Sequence, residues 1–244
     1  MNILITGAGR GLGLELAAEA LERGHYVLAG MREPQDKSEA MQALEAAFPG
    51  KLASVRLDVR DEDGIAELAA SLKREGMQLG AIVNNAAVLK ARDTGIEELD
   101  MKDVEHSFDI NLYGPMRVVK HLLPLLLQPR ASIVNISSEA GSLTHAYPGD
   151  YPYGITKAAL NMFTEQLRSL LGAGGVQVLS VHPGWMRTDM GGESAPTDPR
   201  RSAAGILDLI ERKAELHPKF HFVDYEARKC RSDPSTLQSG GAKP

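Results

Sequence analysis

A chain of 244 residues and 26.3 kDa can bury about 72% of the surface its unfolded form exposes, enough for one large core. Its 43% hydrophobic and 24% charged residues match the ordinary globular balance, and a net charge of −5 lacks the basic surplus that a nucleic-acid groove requires. One cysteine, Cys230, makes no internal disulfide, which suits a reducing, cytoplasmic setting.

The opening residues Met1 to Thr6 run straight into glycines, without the pattern of a signal peptide. The longest apolar run, 122–127, is interrupted by Pro124 and far below the ~20 residues of a membrane helix, so no membrane partner is expected. Short β-branched or apolar runs at residues 2–6, 25–31, 52–58, 81–86, 131–137, 176–182 and 219–224 predict seven strands. Helical periodicity fills 11–23, 38–48, 61–74, an interval from 100 to 127, 153–171 and 202–216. This alternation predicts an α/β chain: one doubly wound domain over residues 1–230, with a parallel sheet covered by helices on both faces. Residues 191–201 lack apolar periodicity and follow a strand's carboxyl end, which reads as a substrate lid or a plain surface loop. The Ser-, Gly- and Pro-rich stretch 231–244 reads as a loose tail.

The first strand runs into Thr6-Gly7-Ala8-Gly9-Arg10-Gly11-Leu12-Gly13. Neither G-x-G-x-x-G nor the P-loop fits this run, whereas T-G-x-x-x-G-x-G does, with Gly7, Gly11 and Gly13. Missing Cβ atoms let the backbone turn sharply and approach a pyrophosphate, whose charge then sits at the N-terminus of the helix beginning at Gly11-Leu12. A tight turn without a ligand is the alternative. At the end of the second strand, where an acidic residue would bind an adenosine ribose, stands Arg32. Together with Arg10 it suits a 2′-phosphate, favouring NADP over NAD, although Glu33 keeps NAD in play. Asp58-Val59 and Asn84-Asn85-Ala86-Ala87 end the third and fourth strands, where the adenine half would lie; Asp58 suits adenine, and Asn84 suits a tie between strands. Each is equally readable as a turn residue or cap.

Two Tyr-x-x-x-Lys pairs occur, Tyr153 with Lys157 and Tyr225 with Lys229. Only the first follows a strand ending in hydroxyls, Ile136-Ser137-Ser138. On a helix, residues four apart share a face. A lysine ~4 Å from a phenol would stabilise phenolate by about 4 kcal/mol and lower its pKa by about two or three units, making Tyr153 a general acid toward a carbonyl and a base toward an alcohol. The histidines show no metal-ligand spacing, so no metal is expected.

These motifs, with Asn111 and the run His182-Pro-Gly-Trp-Met-Arg-Thr-Asp189, closely resemble the short-chain dehydrogenase/reductase family from residue 2 to about residue 225. The run continuing to Gly192 and the late Phe222-Val-Asp-Tyr225 are similar to its C-factor and sniffer-like carbonyl reductase branch. The resemblance implies a Rossmann fold and a catalytic set of Asn111, Ser138, Tyr153 and Lys157. Ser138 would polarise the carbonyl, Tyr153 pass the proton, Lys157 hold the nicotinamide ribose, and Asn111 position a water leading to solvent. Around the cofactor it places Gly7, Arg10, Gly11, Leu12, Gly13, Arg32, Asp58, Val59, Asn85, Ala86, Pro183, Gly184, Trp185 and Thr188, besides Tyr153 and Lys157. The sequence departs from the family at Ala87, where glycine is usual, and in the fifteen positions from Ser138 to Tyr153, two more than is common. Ser137 and Ser142 therefore stay open as alternatives to Ser138.

Residues Ala159, Met162, Phe163, Gln166 and Leu170 form a second stripe on the Tyr153 helix, for which the family supplies a dimer contact. A homodimer or homotetramer is expected, with a monomer whose late loop covers the stripe as the alternative. Residues 89–94 and 191–201 are expected to line the pocket of a small-molecule carbonyl or alcohol substrate. The expected activity is NADP-dependent hydride transfer; the competing reading is a cofactor-binding signalling protein with little turnover.

Overall fold

Seven strands form in the computed structural model, which describes residues 1–144, 146–216 and 221–230. They are β1 (Asn2–Thr6), β2 (Tyr26–Met31), β3 (Leu52–Arg56), β4 (Ala81–Asn84), β5 (Ser132–Ile136), β6 (Gln177–His182) and β7 (Phe222–Asp224). All pair in parallel, in the order β3-β2-β1-β4-β5-β6-β7. The order reverses at the β1/β4 junction, where such sheets open a crevice at their carboxyl edge.

Successive strand residues face opposite sides, and both sides are apolar here. Ile3 and Ile5 pack with Val27, Val134 and Leu179 under the helices α1 (Gly11–Glu22), α2 (Glu39–Ala47) and α7 (Pro199–Ile210). Leu4 points the other way, into a second core with Leu28, Ile82 and Ile133 beneath α3 (Glu62–Arg74), α5 (Gly114–Leu122) and α6 (Tyr151–Leu171). Ile3, Leu4 and Ile5 are all fully buried, so β1 forms the centre of the fold.

Strands β3 and β4 end two residues before their expected limits, leaving Asp58 and Asn85 free of the ladder and in the crevice loops. The expected helical interval 100–127 is broken: α4 (Met101–Phe108) passes through a π-helical turn, Asp109–Tyr113, into α5, and a 3-10 turn, Leu123–Leu125, follows. Helix α7 runs from Pro199 to Ile210 rather than 202–216, because Asp198 caps Arg200 N at 2.9 Å and Arg212 takes a left-handed φ of 59° that stops the helix. Residues 219–220 of the expected last strand and the expected tail, 231–244, lie outside the described residues.

Candidate active site

The loop from β1 to α1 has no room for side chains at Gly7 and Gly13. Gly7 is left-handed, with a φ of +66°, and a Cβ there would lie 3.0 Å from Ala86 Cα. A Cβ on Gly13 would lie 2.2 Å from Gly7 O, a contact no side chain can make. Thr6 Oγ1 accepts hydrogen bonds from Asn85 N and Ala86 N, both at 3.0 Å, and Asn85 Nδ2 donates to Thr6 O at 3.0 Å and Gly7 O at 3.2 Å. Asn85 is thus occupied in holding the loop closed. Helices α2, α3, α4 and α7 begin with a Ser or Asp side-chain cap, whereas α1, like α5 and α6, has no side-chain cap and no acidic residue in its first turn. Its unanswered N–H groups and positive dipole end fit a pyrophosphate.

At the adenosine end, Arg32 projects into solvent beyond β2. Asp58 is clasped by Arg60, whose Nη2 and Nε donate at 2.9 and 3.2 Å and whose backbone N donates at 3.0 Å. Those bonds hold the Asp58 carboxyl below the usual range despite its burial, with the charge of Arg32 adding to the effect. Val59 packs against α5, where a Cβ on Gly114 would lie 2.9 Å from it, and its carbonyl accepts from Arg117 at 3.2 Å. Arg10 pairs with Asp189 at 2.5 Å across the top of the crevice, both side chains being largely exposed.

The reacting end is built from β5, α6 and the π-helical turn. Past β5, Ser138 begins a 3-10 turn, Glu139–Gly141, accepting from Ala140 N at 3.2 Å; Glu139 N donates to His182 Nδ1 at 3.4 Å, which ties the turn to the end of β6. The Ser138 hydroxyl acts on the Tyr153 phenol, favouring its ionised form. Ser137 instead donates to Asn161 Oδ1 at 2.6 Å, and Ser142 pairs with Thr144 at 3.0 Å, so of the three serines the structure brings Ser138 to the tyrosine. Lys157 is buried, with its Nζ 5.4 Å from the Tyr153 ring centroid and donating to Ile136 O at 2.7 Å.

Desolvation opposes the expected acidification of Tyr153. Burial pushes the phenol up to about 12, outweighing the lowering by Ser138. The same burial pushes the Lys157 ammonium down to about 7, so the cation invoked to stabilise phenolate is itself driven toward neutrality. That burial opposes ionisation of the phenol is expected from the sequence; the lowering of Lys157 by the same burial is the addition the structure makes.

Asn111 sits in the π-helical turn, and its side chain is fully engaged. Its Oδ1 accepts from Val88 N at 2.8 Å, and its Nδ2 donates to Val88 O at 2.9 Å and to Thr156 Oγ1 at 3.1 Å. It meets α6 at Thr156, the neighbour of Lys157, and fastens the segment leaving β4 to that helix. A buried relay lies beneath: Asn84 Nδ2 donates to Asn135 Oδ1 at 2.8 Å, while Asn135 Nδ2 and Ser180 Oγ donate to Thr164 Oγ1 at 2.9 and 2.7 Å. These bonds tie β4, β5, β6 and α6 together under the crevice. Only the Asn84 link was visible in the sequence, because the other members are ordinary strand and helix residues until the register brings them together.

Beyond β6, Pro183 and Gly184 lead into a loop folded on itself. Gly184 is left-handed, φ +84°, and a Cβ there would lie 2.8 Å from Thr197 Oγ1. Thr197 N donates to Trp185 O and Arg187 N to Thr197 O, each at 3.0 Å, and the exposed Trp185 donates through Nε1 to Gly191 O at 2.8 Å. Thr188 lies over the glycine loop, its methyl carbon 3.7 Å from where a Gly11 Cβ would be. The second Tyr-x-x-x-Lys pair is built differently: Tyr225 packs on Gly205 of α7, beneath Arg201, with its ring beside Gly184.

Residues 1–199 match the family model for short chain dehydrogenases. A serine 3-dehydrogenase from Agrobacterium fabrum is 33% identical over 188 residues, covering 77% of this chain and 73% of that protein. The carbonyl reductase Sniffer of Drosophila melanogaster superposes with a TM-score of 0.84 at 28% identity, over 94% of this chain and 98% of the other. The NADPH-bound carbonyl reductase from chicken fatty liver does so with a TM-score of 0.82 at 31% identity, over the same shares. With the glycine loop, the serine–tyrosine–lysine centre and these likenesses in agreement, the chain belongs to the short-chain dehydrogenase/reductase family and is an NAD(P)-dependent oxidoreductase.

Proposed function

We propose that this protein is an NADP-dependent carbonyl reductase that interconverts a small carbonyl compound and its secondary or primary alcohol. The observation that carries the reading is the Ser138–Tyr153 hydroxyl pair beside buried Lys157, at the end of a crevice whose other end is an uncapped, glycine-lined helix terminus. Gly7, Gly11, Leu12, Gly13, Val59, Ala86, Pro183, Gly184, Trp185 and Thr188 would hold NADPH, which would supply the hydride for the carbonyl carbon. Tyr153 donates its phenolic proton to the carbonyl oxygen, yielding the alcohol. Ser138 shares its hydroxyl with Tyr153 and orients that oxygen. A phenol held protonated by burial is the correct state for a proton donor. Lys157 faces the same centre and can take up or release a proton near neutral pH. Asn111 holds the wall of the crevice rather than the reacting atoms.

Arg32 and Arg10 support the choice of NADP. Arg32 has no carboxylate partner among the described residues, and Arg10 is paired only at the surface, where such bridges are worth about 0–1 kcal/mol and exchange readily for a phosphate. A second copy of this chain is the occupant we assign to the α5–α6 face, where a groove of about 430 Å³ is lined by Tyr113, Met116, Val119, Leu123, Phe163 and Leu167. A cytoplasmic setting fits the single, buried Cys230.

The test is NADPH and NADH oxidation against a panel of aldehydes, ketones and quinones. Tyr153→Phe is expected to lower kcat by about 10²–10⁴-fold with NADPH binding retained. Equal rates in both proteins would overturn the catalytic reading, and a wild type that prefers NADH would overturn the choice of NADP.

A further inference from the structure

A guanidinium over the substrate side of the crevice has no carboxylate to answer it. Arg92 lies on the segment leaving β4, between Ala91 and Asp93, both left-handed at φ 52° and 57°. Neither is glycine, so the backbone departs from its easier conformations on both sides of this one residue. From there Arg92 Nη2 spans the crevice and donates to Met190 O in the facing loop at 2.6 Å. Arg10, Arg60, Arg187 and Arg200, which also border the carboxyl edge or its loop, are each matched by a carboxylate, whereas Arg92 forms no ion pair among the described residues. Its charge reaches the reacting centre, favouring ionisation of Tyr153 and Tyr147 against the opposing charge of Asp150.

We propose that Arg92 anchors an anionic group of the substrate, so that the carbonyl compounds this enzyme prefers carry a carboxylate or sulfonate a short chain away from the reacting carbon. The inference rests on the carbonyl-reductase reading of the same site. A guanidinium offers five N–H donors in a planar fork, so the bond to Met190 fixes its plane and leaves an edge for two parallel bonds to an oxyanion. An anion bound there neutralises the unpaired charge and sits on the same side of the crevice as the proton donor. Lysine would keep the charge and lose the fork.

The experiment compares NADPH oxidation with succinic semialdehyde and with its uncharged methyl ester in the wild type, Arg92→Ala and Arg92→Lys. Arg92 is exposed and lies outside helices and strands, so these variants retain the fold. The ratio of kcat/KM for acid over ester is expected to fall about tenfold in Arg92→Ala, equivalent to about 1.4 kcal/mol, mainly through KM, with Arg92→Lys between. An unchanged ratio overturns the proposal. So does an equal loss on both substrates, which would make Arg92 a brace for the facing loop and nothing more. If the wild type turns over neither compound, calorimetric titration of the NADP-loaded protein with succinate decides. Binding that Arg92→Ala abolishes upholds the anion site while the reductase reading fails; absence of binding to the wild type overturns the anion site.

Discussion

An ammonium held 2.7 Å from a backbone carbonyl and 5.4 Å from the centre of a tyrosine ring gives the protein a pH signature. Burial lowers Lys157 from 10.5 to about 7, so between those values the unfolded chain binds a proton that the folded one does not. Stability therefore rises with pH across that window, by up to on the order of 4–5 kcal/mol, and below pH 7 the cost of the buried charge is constant. Tyr153, pushed up to about 12, turns the slope over above pH 10. Urea unfolding of the ligand-free protein from pH 6.5 to 9.5 is expected to show the rise, and Lys157→Met to flatten it; a wild type without the slope would mean that Lys157 stays charged. The sequence brought Ser138, Tyr153 and Lys157 forward as candidates, with Ser137 and Ser142 open beside Ser138, because motif and strand end coincide there. It placed Arg92 in the expected pocket-lining stretch 89–94 without singling it out, since the crossing to Met190, 98 positions away, is encoded by no local pattern.

At the scale of elements, the π-helical turn is where a helix gives up regular hydrogen bonding to place one side chain. Such turns recur at functional sites for that reason. Apolar spacing over 100–127 reads as helix on either side and cannot register a change in backbone bonding across five residues, so the periodicity located the element and missed its break. Asn111 satisfies both backbone groups of Val88 and bonds Thr156. Asn111→Ala strands a buried N–H and should cost about 1–3 kcal/mol in urea unfolding. If the side chain positions the crevice wall, the same variant should lose turnover while Asn111→Asp, which still accepts from Val88 N, recovers part of the stability. A variant as stable as wild type would remove Asn111 from this role. The boundaries of α7 were legible in hindsight from Asp198-Pro199, an N-cap followed by the residue best suited to the first helical position.

For the whole molecule, five of the exposed apolar side chains lie on two neighbouring helical segments. Tyr113 on the turn into α5, Met116 on α5, and Ile155, Met162 and Leu170 on α6 are all 42–69% exposed, while the two cores on either side of the sheet are closed. Sedimentation equilibrium is expected to give a mass near twice 26.3 kDa or a higher even multiple, and the double variant Met116→Glu, Met162→Glu to give the single-chain mass. A wild type sedimenting as a monomer would end that assignment. The strand count and the alternation with helices followed from short apolar runs, because a parallel sheet buried on both faces needs unbroken hydrophobic strands. Which strands lie side by side required the three-dimensional register.

That strand order also governs how the chain can assemble as it is made. Of the seven strands, the one made before the others is the central plank, yet one of its two flanks stays bare until Ala81 has followed, because β4 is its second neighbour. The nucleotide half can therefore gather early but stays exposed along one edge, and the half carrying Tyr153 must dock against it as a late arrival. A chaperone that shields nascent sheet edges would find its substrate in the interval between the translation of β3 and of β4.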